Sequence, residues 1–552
     1  MNVAVVPERP APPVSIEPDA RSHSSAQAAA RQPAGPTILI LVAILGLAAL
    51  LRTQGIETTG ASFDESSSWK HIQFPWSGLL APIQRNVHPP VYYVCLKTWS
   101  LFFGDGPIAL RLFSAFCGTL TVLVVFALVR EATTVTASEA TRSSRSDWTA
   151  LNAALLVALC PLQVSHGQTA RMYPLASLWG AWCGWFALRV VRSGGQWWEW
   201  SVLTLSGLGL TLTHYYGLFT AGAIVLFLGG SISVGLLRDG WSPRTRRLVI
   251  GCAASGWVAA NIWGLWLPSF EAQRGQVTDS YWIDPFAWET VAQLAASLLS
   301  WEGVGKSSGT WAWWGVAFWV AVCTLLPLSG RPASWLVALA ALGPPLLAIV
   351  YSLEVRSILV MRYLTYAQLY LLIGWGLLIG RIRWRPVQVL ATIVSCLWLG
   401  GWTWQQAEAH DRQGRQNGIV ECIDLLNEWR TAEEPVIAAD WSLHPVVQRY
   451  ARSREGIFVY DRGRPYPHYQ GGPFILPEEY LSLQALDETD ATRVFTVDAY
   501  DLWGRGNEVA VPLSSEWRLT RSQEFFSNDN GGHRVVVREY QRDRSASRQE
   551  SE

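Results

Sequence analysis

Eleven apolar stretches separated by mostly short loops constrain this chain more than any other feature. They lie near 37–51, 107–129, 149–163, 174–191, 200–213, 217–237, 247–268, 311–328, 334–352, 364–380 and 386–403. About 20 apolar residues cross a bilayer core as a helix. Helices and closed barrels alone satisfy every backbone polar group in lipid. Several stretches are shorter than that and must borrow flanking aromatics, and the 31 tryptophans suit belts at two membrane surfaces. Only 16% of residues are charged, against roughly 25% in soluble domains. Net charge is zero, so nothing argues for nucleic acid. The pattern predicts an α-helical polytopic membrane protein with about eleven transmembrane helices.

Orientation follows from arginine. The loops after every second stretch carry Arg130, Arg142 and Arg145; Arg189 and Arg192; Arg238, Arg244, Arg246 and Arg247; Arg331; and Arg381, Arg383 and Arg385. Short loops dense in arginine stay in the cytoplasm. All five clusters share one parity, which predicts a cytoplasmic N-terminus and an extracytoplasmic C-terminal region. The Pro-, Ala-, Ser- and Arg-rich residues 1–36 read as a disordered cytoplasmic tail. No small-residue cleavage site follows the first stretch, so it reads as a retained span.

Beyond Gln405 the pattern changes. Short apolar strands, as at Pro435–Asp440, Gly456–Tyr460, Arg493–Val497 and Arg534–Tyr540, alternate with helical stretches near Leu425, over Val446–Ala451 and near Pro477–Leu486. This predicts a small α/β domain over 404–540, followed by a disordered tail at 541–552. Of eight cysteines only Cys422 falls in that domain, so it holds no internal disulfide.

The expected outer loops hold the chemistry. Asp64 and Glu65 stand just past the first stretch, and His88 precedes Pro89 and Pro90. His166, Arg171 and Tyr173 occupy one loop tip, His214 another, and Arg356, Arg362 and Tyr363 a third. Ionisable groups beside a bilayer invite a functional reading. The stretches 91–103 and about 287–300 read as helices lying in the interface. The inner loops are too short to build a nucleotide-binding domain, so chemistry on the outer face needs a donor delivered through the membrane, most simply on a lipid carrier.

The Asp64-Glu65 pair, the turn His88-Pro89-Pro90-Val91-Tyr92-Tyr93, the entry Ala109–Ser114, Gln168–Tyr173 and Met361–Leu364 together resemble GT-C fold glycosyltransferases of the ArnT-like and protein O-mannosyltransferase-like kind. The likeness spans 37–403 in hydropathy and order. It implies an enzyme that moves a sugar from a polyprenyl-phosphate donor to a lipid, glycan or protein acceptor on the outer face.

Within that resemblance Asp64 is the candidate general base for the acceptor hydroxyl. The bland alternative makes it the N-cap of a short helix beginning at Glu65. Glu65 binds a metal or acceptor, or faces water. His88, Arg171, Arg356 and Arg362 are candidates for holding the donor phosphate, for which the planar arginine fork is suited; otherwise they snorkel to headgroups. Tyr173, Tyr363, His166 and His214 are candidate pocket residues, or ordinary belt residues. Arg111, just inside a span, is expected to pair with a carboxylate such as Asp105. Asp279 and Asp284, flanking Tyr281 and Trp282, belong to a long loop, 269–310, that would close over substrate. Asp64, Glu65 and the histidines could hold Mg or Mn, though nothing in their spacing requires a metal. A transporter or flippase of lipid-linked sugars is the competing reading. The ionisable groups cluster at one surface and not at mid-membrane, which disfavours it.

Overall fold

Each apolar stretch is helical, and short joints return the chain from one helix to the next. The computed structural model describes residues 35–58, 62–133, 139–276, 283–300, 309–415, 417–463, 466, 472–500, 508–527 and 533–543. Asp279, Tyr281, Trp282 and nearly all of both expected tails lie outside these residues. The first helix, α1, spans Gly35–Thr53. The first expected outer loop is itself helical: α2 (Phe63–Gln73), α3 (Leu80–Arg85) and α4 (Val91–Phe103). The bundle continues with α5 (Pro107–Thr133), α6 (Glu139–Leu159), α7 (Pro161–Gly167), α8 (Tyr173–Ser193) and α9 (Trp197–Thr213). It closes with α10 (Gly217–Asp239), α11 (Pro243–Gln276), α12 (Trp288–Ser297), α13 (Trp313–Leu325), α14 (Pro332–Glu354), α15 (Thr365–Arg381) and α16 (Arg385–Arg415).

Among the described residues eight helices are long and apolar enough to cross a membrane, or nine if the bent pair α6–α7 is one span. Two expected spans, α8 and α9, fall outside that group. The 17 residues of α9 extend about 26 Å at 1.5 Å per residue. Packed between α5 and α9, α8 is mostly buried, so its surroundings are protein more than lipid. By contrast α11 runs for 34 residues through Pro268. It therefore occupies the first part of the expected 269–310 loop.

The α6–α7 joint shows how a buried charge holds the bundle. Pro161 has no N–H and breaks the helix with a 62° bend, leaving carbonyls of the last turn of α6 without donors. Arg52 of α1 replaces them. Its Nη1 donates to Ala158 O at 3.3 Å and to Ala48 O at 3.1 Å, and its Nη2 to Val157 O at 3.3 Å. Gly118 and Gly167 form the slot, because a Cβ at either would come within 2.8 or 2.7 Å of the Arg52 side chain. The joint in turn fixes where α7 and the loop to Tyr173 present their polar residues.

The arginine-rich loops meet one another at one end of the bundle. Arg130 pairs with Asp147 at 2.6 Å, and Asp147 accepts a bond from Thr37 at 3.1 Å. Arg145 donates to the carbonyls of Gly380, Arg381 and Ile382, and Arg381 to those of Leu325 and Leu326. Arg189 pairs with Glu199 and Arg192 with Glu131.

After α16, which runs unbroken past 403, come α17 (Gly418–Trp429), β1 (Val436–Ala438), α18 (His444–Tyr450), β2 (Ile457–Tyr460), β3 (Tyr480–Leu481), α19 (Leu483–Asp487), β4 (Arg493–Tyr500), β5 (Glu508–Val509), β6 (Trp517–Ser527) and β7 (His533–Arg542). They form one α/β sheet in the order β3-β2-β1-β4-β7-β6, with β5 on β4. The first four strands pair in parallel, and β7 and β6 add antiparallel. Every residue of central β1 is buried, as a strand covered on both faces requires. Cys422, Ile423 and Leu426 of α17 pack on Ala438, Val497 and Val537. The expected helix near Pro477–Leu486 is instead a 3₁₀ turn, β3 and the short α19. The expected tail at 541–552 starts inside β7, whose ladder with β6 includes Gln541 and Arg542.

This domain sits on α2. Lys70 pairs with Glu479 and donates to Gln448 Oε1 at 2.8 Å. Phe63 meets Trp441 edge-on at 4.5 Å. Arg454 lies over the Trp69 ring at 4.7 Å and reaches Asp105 at 3.5 Å. The helix carrying Asp64 is thus held between bundle and domain.

Candidate active site

Ser62 caps α2, its Oγ accepting from the Glu65 N–H at 3.1 Å. Asp64 therefore lies inside the first turn and does not cap the helix, contrary to the bland alternative. Its side chain remains 41% exposed and faces two guanidinium groups, with Arg171 at 3.8 Å and Arg362 at 3.7 Å. Burial would raise the Asp64 pKa; the two arginines outweigh it and hold the carboxyl below its ordinary range. Arg171 is fixed by bonds to Asp64 O at 2.9 Å and Ser68 Oγ at 3.3 Å.

Glu65 points elsewhere. It is 1% exposed and takes Arg111 on both oxygens, at 2.9 and 2.5 Å. The Ala170 N–H donates to the same carboxylate at 2.7 Å. So Arg111 does pair with a carboxylate, but with Glu65 and not Asp105. The pair locks α2 to the backbone just before Arg171.

The expected pocket residues come together beside Asp64. His166 lies 4.6 Å from Tyr173, which lies 5.7 Å from His214. His214 stands 4.9 Å from Tyr363 and 5.9 Å from His88. Tyr216 and Tyr366, which the sequence reading did not single out, complete the wall at 5.7 and 5.9 Å from His214. Tyr216 adjoins His214 at the same loop tip, which was the available signal. Burial, then Arg171, keeps His88 well below the usual imidazole range, so it acts as a neutral hydrogen-bonding group.

His71 aims the His88 loop. Its Nδ1 meets Ser67 O at 2.7 Å and must carry the proton there, leaving Nε2 to accept from Asn86 Nδ2 at 2.9 Å. Asn86 Oδ1 then accepts from the Val87 N–H at 2.7 Å.

Several buried polar atoms of this wall have no hydrogen-bond partner: Arg171 Nε, Tyr173 Oη, His166 Nε2 and His214 Nδ1. Buried polar groups are nearly always paired, so a cluster of unpaired ones marks a place prepared for a ligand. Arg356 is not among the ion-pair partners of Asp64, and Asp284 is exposed. Among the described residues no group of three or more His, Cys, Asp or Glu side chains could hold a metal ion. Glu65, one of the residues that could have held Mg or Mn, is committed to Arg111.

No protein-family model matches the chain, and no curated protein matches it. Solved structures do. ArnT from Cupriavidus metallidurans in the apo state superposes with a TM-score of 0.58 at 13% identity, covering 90% of this chain and 97% of that one. The chain has the GT-C fold. ArnT bound to undecaprenyl phosphate aligns over the same shares at a TM-score of 0.56. The oligosaccharyltransferase of Archaeoglobus fulgidus aligns at 0.44 and 12% identity, over 83% of this chain and 67% of its own.

Proposed function

We propose that this GT-C protein is an integral membrane glycosyltransferase that moves a sugar from a polyprenyl-phosphate donor to an acceptor on the extracytoplasmic face. One observation carries the reading: a half-exposed carboxylate, Asp64, stands between Arg171 and Arg362 beside a wall of unpartnered buried polar atoms. The ArnT structure with undecaprenyl phosphate supports the donor class.

Arg171 and Arg362 hold the donor phosphate, with neutral His88 donating beside them. Asp64 takes the proton of the acceptor hydroxyl. The acceptor oxygen bonds to the anomeric carbon as the bond from that carbon to the phosphate oxygen breaks, and the electron pair leaves on the phosphate. The two guanidinium groups meet the charge where it develops. Before the donor binds, they hold Asp64 ionised but weakly basic. The phosphate charge offsets theirs and raises the Asp64 pKa toward that of a useful base. Glu65, Arg111 and His71 position this machinery. Arg356 has no assigned part. The domain after α16 holds α2 from the outer side.

The test is transfer or hydrolysis by the purified protein across a panel of radiolabelled polyprenyl-phosphate sugars. One donor should turn over in the wild type. Asp64→Asn should bind it and turn over about 10²–10⁴-fold more slowly. A wild type that binds no polyprenyl phosphate would sink the reading, and an Asp64→Asn variant of normal rate would move the base elsewhere.

A further inference from the structure

On the seam between α2 and α18 the charges pair off, with one exception. Lys70 meets Glu479, Arg111 meets Glu65, and Arg454 meets Asp105. His444 is driven down to about 4 by burial and stays neutral. Arg449 is left over. It is only 8% exposed, and its Nε, Nη1 and Nη2 all lack an acceptor. Its guanidinium lies 5.6 Å from the Tyr450 ring centroid, a face that attracts the cation but accepts no directed hydrogen bond. On the facing helix Ser66 Oγ is also buried and unpartnered. Ser66 lies four residues before Lys70 and so on the same side of α2, the side that reaches Gln448 beside Arg449. Glu65 and Ser68 of that helix take bonds from Arg111 and Arg171 of the bundle.

A buried guanidinium whose N–H groups find no acceptor is costly, and its planar fork is shaped for two oxygens of one anion. We propose that Arg449, with Ser66 opposite, forms a site for one oxyanion group, a carboxylate or phosphate, carried by the acceptor. The site lies on the domain side of α2, whereas Arg171 and Arg362 lie with Asp64 on the bundle side. The acceptor assignment rests on the function proposed above; the oxyanion site stands without it. Arg449 is near enough to Glu65 to help keep that carboxyl ionised. A ligand anchored there would come close to the turn that carries Asp64.

Equilibrium dialysis of the full-length protein in detergent against radiolabelled inorganic phosphate tests this directly. Two sites are expected in the wild type, one in Arg449→Met and one in Arg362→Gln. Unchanged stoichiometry in Arg449→Met overturns the proposal. A single wild-type site lost only in Arg362→Gln also overturns it and leaves the donor reading standing. A single site lost only in Arg449→Met supports it and sinks the donor reading. In Arg362→Gln, competition by acetate or by methyl phosphate separates a carboxylate ligand from a phosphate ester, and no competition by either overturns the site. Should Arg449→Met fail to fold, Arg449→Lys keeps the charge and loses the fork. It should weaken the seam site severalfold and leave the other untouched; equal affinity at both overturns the proposal.

Discussion

The two ends of the bundle use arginine in opposite ways. Where Arg130, Arg145, Arg192 and Arg381 gather, the guanidinium groups are spent on protein oxygens: Asp147, the carbonyls of 380–382, Glu131, and the last turn of α13. At the other end Arg171 and Arg362 stand 3.8 and 3.7 Å from one carboxylate, and neighbouring buried polar atoms have no hydrogen-bond partner. The first end is finished by folding. The second is left open, which is what a site needs if its strongest interactions are to form only with substrate. One residue type, read by its partners, separates scaffold from chemistry.

That contrast can be broken most severely at the Glu65–Arg111 pair, a fully buried ion pair at the open end. Arg111→Met strands a buried carboxylate and should cost about 3–5 kcal/mol of stability. Adding Glu65→Gln should recover part of the loss. Denaturation of both variants in detergent checks this; equal stability of wild type and Arg111→Met would make Glu65 a free group, available for catalysis after all.

Arg362→Gln comes next. Losing one charge-assisted contact should weaken donor binding or turnover by about 1.5–3 kcal/mol, read as kcat and KM with a matched donor. It should also move the acid limb of the rate profile. Asp64 has a folded pKa below its unfolded one, so its ionised form, and the stability it brings, is present above the ordinary carboxylate pKa and is lost as pH falls through the folded value. Removing Arg362 raises that folded value, so the acid limb should shift to higher pH. An unmoved limb would show that Asp64 does not set it.

His71 gives a smaller effect of its own. Burial lowers its pKa to about 4, so the stability gained by keeping it neutral is full above about 6.5 and lost as pH falls toward 4. His71→Gln should flatten stability against pH across that window. At the closed end, Arg192→Gln should change stability by less than about 1 kcal/mol, because that pair is partly exposed. A large loss of activity there would erase the distinction between the two ends.

Much of this was legible in the sequence, for identifiable reasons. Helices in lipid announce themselves by composition, and each expected stretch is helical. The loop parity carried by arginine sorted Asp64, His88, His166, Arg171, His214 and Arg362 to one end before any fold was known. Pairings were not legible. Nothing local tells Arg111 to choose Glu65, 46 positions away, over nearby Asp105. Strand β6 was missed because Arg518, Arg521, Gln523 and Glu524 interrupt its apolar residues, and its order comes from the ladder with β7. Arg449 carried no signal, since a cation on a short polar helix is ordinarily solvated. Only the docking of α18 on α2 buries it.

The Arg52 joint has a consequence for biogenesis. The carbonyls that Arg52 serves lie about a hundred residues downstream, with Ala158 at a separation of 106. At ~5–20 residues per second, roughly 5–20 s of synthesis pass before they emerge. Through that interval α1 must wait in the bilayer with its charge held at the headgroups. Helix α1 is then among those whose packing is completed late, once Gly118 and Gly167 have closed the slot around Arg52. Bulk added at either glycine should therefore show first as a defect of assembly, seen as degradation of nascent chains, and only afterwards as a loss of any activity of the folded protein.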